Sequence, residues 1–146
     1  MEEVLGVTTD AVKFEIDALA SANSGELTTL VYKCGSINKS GLILGFYGNK
    51  ITAGGMPFQT FGFKVLPIDK ANSLIDKIES VTKENSKYID ADLDNNNIYF
   101  HFDDMTVLIY NTSMTTRLRI YWEGFDSELD WPTFQKTKRR LAKKLQ

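Results

Sequence analysis

The chain has 146 residues, 42% of them hydrophobic and 25% charged, with a formal net charge of −2. That is enough chain for one domain with its own core and too little for two, and the balance excludes a disordered or fibrous protein. One cysteine, Cys34, excludes an intramolecular disulfide, and one histidine, His101, excludes a histidine-rich metal site.

The opening "MEEVLGVTTDAVKFE" has two acids after Met1 and no sustained apolar core. No secretory leader is expected, no apolar run reaches membrane-spanning length, and the default is a cytoplasmic protein that does not enter a membrane. In "TTDAVKFEIDALASANSG", Val12, Ile16, Leu19 and Ala20 recur at helical spacing behind Thr9 as a cap, and Asn23-Ser24-Gly25 closes the segment. The spacing predicts a first helix. The period then falls to two. "ELTTLVYKCG" and "GLILGFYGNKITAGG" predict strands, with Cys34 as a small buried hydrophobe. A tight turn at Gly48-Asn49 would set Leu44 opposite Ala53 and Phe46 opposite Ile51. "FQTFGFKVLP" adds a strand with Phe61, Phe63 and Val65 on one side, and Gly54-Gly55 reads as a flexible junction that could border a pocket.

"LPIDKANSLIDKIESVTKEN" predicts a second helix, with Ala71, Leu74, Ile75, Ile78 and Val81 on one face. Asp69 is its expected cap, and Glu79 and Lys83 form an i,i+4 pair. After it, "YIDADLDNNNIY" places Asp90, Asp92 and Asp94 at alternate positions. A calcium loop would need a bidentate carboxylate at its twelfth position, where His101 stands. A strand turning at Asn95-Asn96 is the preferred reading, with Leu93 facing Ile98, Ala91 facing Phe100 and Ile89 facing Phe102. A turn at Asp103-Asp104 continues the register: Phe102 meets Met105, Phe100 meets Val107 and Ile98 meets Ile109. Across the next loop Ile109 meets Leu118, Val107 meets Ile120 and Met105 meets Trp122, so four strands share one apolar face.

The opposite face would then carry Asp90, His101, Thr106 and Tyr121 in one row, Asp92, Tyr99, Leu108 and Arg119 in the next, and Asp94, Asn97, Tyr110 and Arg117 in the third. Tyrosine and arginine favour interfaces, so Asp90, Asp92, Tyr99, His101, Tyr110, Arg117, Arg119 and Tyr121 form the candidate partner-binding surface. A competing reading makes it a small hydrolase-like or ligand-binding site, with Asp90 orienting His101 as a general base beside Tyr121.

A third helix follows "SELDWPTFQKTKRRLAKKLQ", capped by Asp130, with Pro132 in its first turn and Phe134, Thr137, Leu141 and Leu145 inward. Its outer face is a basic patch of Lys136, Lys138, Arg139, Arg140, Lys143 and Lys144. From Arg117 onward eight Lys/Arg stand against four Asp/Glu, a segment charge of +4, and the preceding residues carry −6. The patch offers a second alternative, nucleic-acid binding, which the acidity of the whole chain and the absence of a recognition motif disfavour.

The expected fold is therefore a single α+β domain over 1–146, antiparallel β-meanders of about eight strands in the order α-β4-α-β4-α with the helices on one face. No nucleophile elbow, phosphate-binding glycine loop, thiolate cluster or cofactor motif is present, so no cofactor and no metal are expected. The layout is similar in shape to small secretion-chaperone-like proteins and toxin-neutralising immunity proteins, a likeness that does not transfer function. The expectation is a non-enzymatic module that binds another protein, its own copy included.

Overall fold

The computed structural model describes residue 6 and residues 10–51 and 54–145. Two antiparallel four-stranded meanders alternate with helices. The first sheet contains β1 (Glu15–Ser21), β2 (Leu27–Cys34), β3 (Lys39–Ile51) and β4 (Pro57–Pro67) in that spatial order. Helix α1 (Ile68–Glu84) and the short α2 (Ser86–Ala91) follow. The second sheet is β5 (Ile98–Phe102), β6 (Met105–Asn111), β7 (Thr116–Trp122) and β8 (Phe125–Asp130), and α3 (Trp131–Lys144) ends the fold.

Three elements depart from the sequence reading. The first predicted helix is β1, paired with β2 from Glu15 opposite Lys33 to Ser21 opposite Thr28. A register shift between Ala18 and Ala20 breaks the period of two. Ile16 and Leu19, three residues apart, face opposite sides of the strand, 46% and 1% exposed, and their i,i+3 spacing imitates a helix. The expected cap, Thr9, lies outside the described residues. The turn expected at Gly48-Asn49 is not there either: β3 runs through it, with Gly48 opposite Thr60, Phe46 opposite Gly62 and Leu44 opposite Lys64. The chain reverses further on, where Gly55 takes φ +81°. Ala53 lies outside the described residues.

The aspartate strand is the third correction. Tyr88 to Ala91 belong to α2, which buries Ile89, and Asp92 to Asn95 form a turn. Asp92 accepts hydrogen bonds from the Asp94 backbone N–H at 3.1 Å and Asn95 Nδ2 at 3.0 Å, and Asn96 Nδ2 donates to the Tyr88 carbonyl at 2.7 Å. Aspartate and asparagine satisfy the backbone locally in this way, which favours a turn over a ladder. The fourth place in the sheet goes to β8, entered through Glu123 and Gly124, both at positive φ, the signature of a primed hairpin turn. Elsewhere the predicted register holds: Ile98 faces Ile109, Phe100 faces Val107 and Phe102 faces Met105, then Val107 faces Ile120 and Ile109 faces Leu118.

The inner faces of both sheets merge with the stripe Ala71, Leu74, Ile75, Ile78 and Val81 of α1, and with Phe134 and Leu141 of α3, in one core. Pro67, not Asp69, occupies the α1 cap position, and Glu79 reaches across to Lys138 at 2.7 Å. Asp130 caps α3 as expected. Cys34 is buried, its thiol donating to the Lys13 carbonyl at 3.3 Å. Between the sheets, Phe46 lies 5.2 Å from the Trp122 ring and 5.5 Å from Phe125, and Gly62 makes room for them: a Cβ there would stand 2.5 Å from the Phe125 ring.

Gly41 is equally constrained, since an added Cβ would overlap the Leu66 carbonyl oxygen and stand 2.6 Å from Tyr32 Oη. Because one of these is backbone, Gly41→Ala is expected to cost about 2–3 kcal/mol through forced strand separation, read as a lowered urea midpoint.

A charged latch also joins the two halves. Lys64 of β4 contacts Asp103 at 2.5 Å and Asp104 at 2.7 Å, Lys70 of α1 reaches Asp103 at 3.3 Å, and Trp122 Nε1 donates to Asp104 at 3.0 Å. The hydrogen bonds from Lys64 hold both carboxyls below the usual aspartate range. A depressed folded-state pKa contributes stability above the unfolded value of about 3.9 that disappears as the pH falls through the folded value. Burial works against the Lys64 charge, but the two carboxylates outweigh it and raise its pKa. That contribution is complete below about 10.4, the unfolded value, and fades above it. The expected result is that Lys64→Met destabilises the protein at pH 7 and that the gap to wild type narrows at pH 2.5, as followed by urea unfolding.

Candidate functional site

Each sheet has one face outside the common core, and the two faces differ in chemistry. On the second sheet the predicted rows exist without their aspartates and without Asn97, which precedes β5. His101 faces Thr106, which faces Tyr121; Tyr99 faces Leu108, which faces Arg119; Tyr110 faces Arg117. Acid is supplied instead by β8, at the other edge. Arg117 pairs with Glu128 and Arg119 with Asp126 at 3.2 Å, and Tyr110 Oη donates to Glu128 at 3.4 Å. Burial, then the Glu128 charge, raises the Tyr110 pKa. Both arginines therefore have partners within the chain, while Tyr99 is 67% and Tyr121 38% exposed.

The structure separates Asp90 and Asp92 from this surface. Asp90 accepts from Asn111 Nδ2 at one end of β6, whereas His101 Nδ1 lies 2.9 Å from Thr106 Oγ1 at the other end, with the Tyr99 ring edge-on at 5.8 Å. An Asp90–His101 dyad is thus not assembled. Asp92 stays in its turn, where the hydrogen bond from Asn95 is the largest cause lowering its pKa. Among the described residues no group of three or more His, Cys, Asp or Glu could hold a metal ion.

The basic face of α3 is half committed. Lys138 pairs with Glu79, Lys144 with Asp17 at 3.3 Å, and Arg140 donates to the Leu19 carbonyl at 2.6 Å. Lys136, Arg139 and Lys143 are exposed and make no ion pair among the described residues. No helix among the described residues is long and apolar enough to cross a membrane.

The outer face of the first sheet is different. The register puts Ile16 on β1, Thr28 and Leu30 on β2, Ile43, Gly45 and Tyr47 on β3, and Phe61, Phe63 and Val65 on β4 on one side. None of these side chains is charged. Phe61 is 67% exposed, Phe63 61% and Tyr47 37%, whereas Ile43, which packs with Tyr32, Leu30 and Val65 on the same face, is buried. Tyr47 and Phe61 lie ring to ring at 4.7 Å. Beside this ridge is a hollow of about 390 Å³ bounded by Gly25, Thr28, Leu30, Gly45, Tyr47, Phe61 and Phe63.

No family model, no curated protein and no solved structure matches the chain.

The sequence did signal the apolar face. β2 to β4 carry large apolar residues at both parities, as in Leu27 and Val31 against Leu30 and Tyr32, or Leu42 and Leu44 against Ile43. Strands that are apolar on both sides belong to sheets covered on both faces. The alternation at Phe61, Phe63 and Val65 was legible as one side, but reading β1 as a helix removed the strand that borders that face.

Proposed function

We propose that the protein is a non-enzymatic protein-binding module and that it binds through the outer face of its first sheet. One observation carries this reading: several large hydrophobic side chains are held in water, without a charge among them, on a four-stranded antiparallel sheet. A patch of this kind is unfavourable for an isolated soluble chain and is typical of surfaces that meet another macromolecule. Burying it would gain roughly 25 cal/mol per Å² before the costs of association. The tyrosine and arginine face of the second sheet is the lesser candidate, because its arginines are already neutralised by β8.

The test compares the two faces. A partner recovered by affinity capture on the wild type is expected to be lost with Phe61→Glu/Phe63→Glu and retained with Arg117→Glu/Arg119→Glu, while thermal unfolding of the first variant stays within a few degrees of wild type. The opposite pattern of loss would move the site to the second sheet.

A further inference from the structure

We propose that the occupant of the first sheet's outer face is a second copy of this chain, packed face to face about a two-fold axis; this rests on reading that face as a docking surface. The first argument is area. Ile16, Tyr47, Phe61 and Phe63 are 46%, 37%, 67% and 61% exposed. For large side chains of 150–250 Å² that is about 400 Å² of surface per copy. The half-buried Leu30 and Val65 and the polar rim extend it toward the roughly 800 Å² that each partner buries in a standard interface.

The second argument is shape. A two-fold contact needs a surface complementary to itself, which means a projection and a recess side by side on one face. The Phe61/Phe63 ridge on β4 and the hollow over Gly45, Thr28 and Leu30 meet that requirement. Rotation about an axis between them seats each ridge in the other copy's hollow. The third argument is charge. With no charged side chain on the central rungs, the face offers a charged partner nothing to pair with and a like face nothing to repel. Asp17 on β1 lies at the opposite parity from Ile16 and is held by Lys144.

Sedimentation velocity of the full chain from about 1 to 100 μM, the range in which a modest interface associates, tests this. The wild type is expected to sediment as a dimer at the upper end. Phe63→Glu in the ridge and Thr28→Lys in the hollow are each expected to be monomeric with unchanged far-UV circular dichroism. Mixed in equal amounts they are expected to re-form a dimer, since the carboxylate introduced in one chain's ridge then meets the ammonium introduced in the other's hollow, and the second contact is native. A wild type that stays monomeric at the highest concentration overturns the proposal. So does a dimer untouched by both variants, which places self-association elsewhere. Capture of a different protein that is lost in Phe61→Glu/Phe63→Glu, with the wild type monomeric, would sustain the docking face and reject the second copy.

Discussion

Replacing Phe46 with alanine is expected to lower the free energy of unfolding by about 3–5 kcal/mol, the range for deleting a fully buried aromatic ring. The ring is 0% exposed, stacks on Phe125 and packs at a tilt against Trp122, so it ties β3 of the first sheet to β7 and β8 of the second. Aromatic pairing adds to the loss of buried area, and Gly62 opposite Phe46 supplies no side chain to refill the space. Against a typical total of about 5–15 kcal/mol, one such truncation removes a large share of the stability. Urea unfolding followed by tryptophan fluorescence measures it directly, because Trp122 is part of the cluster. Phe61→Ala is the matched control: its ring is 67% exposed and its removal is expected to shift stability by no more than about 0.5 kcal/mol.

Asp130→Ala is expected to cost about 2–4 kcal/mol, more than an ordinary helix cap, because the cap is buried and bridges three elements. Its carboxylate accepts from the Thr133 backbone N–H at 3.1 Å, from Thr133 Oγ1 at 2.8 Å and from the Asn23 backbone N–H at 3.1 Å. Removing it leaves the start of α3 and the β1–β2 turn with unpaired donors. Burial by itself would raise the Asp130 pKa, but the hydrogen bonds from Thr133 and Asn23 prevail and lower it. Its contribution is therefore complete above the unfolded carboxylate value near 3.9 and is lost as the pH falls through the lower folded value. The difference between wild type and Asp130→Asn in urea midpoint is accordingly expected to be large at pH 6 and to shrink toward pH 2.5. A difference that grows on acidification would contradict the hydrogen-bonded carboxylate.

The readable parts of the fold were those where local pattern and long-range packing agree. The α1 stripe and the β5–β6–β7 register follow from spacing, because each has a single buried face that one shift of register would expose, and the Asp130 cap follows from an acceptor side chain standing just before Pro132 in the first turn. The misread parts were those where local chemistry points one way and tertiary context another. In β1 the i,i+3 spacing of Ile16 and Leu19 imitates one side of a helix, whereas three residues along a strand put them on opposite sides of a sheet. In residues 90–94 alternation imitates a strand, but Leu93 is 42% exposed and only Ile89 reaches the core, so no apolar face existed to hold a ladder. Gly48-Asn49 is a strong turn signal that yields to the continued pairing of β3 with β4. The misreadings of β1 and of the aspartates bear on function. Without the aspartates the second sheet's polar face is balanced by β8, and with β1 restored the first sheet's apolar face becomes complete.

A photoreactive benzophenone side chain placed at position 61 or at position 99 compares the two faces most directly, since Phe61 and Tyr99 are equally exposed at 67%. On irradiation in the native lysate, the docking face described above requires a covalent adduct from position 61, with itself or with another protein, and none of comparable yield from position 99. Adducts from position 99 alone, or from neither, would contradict it.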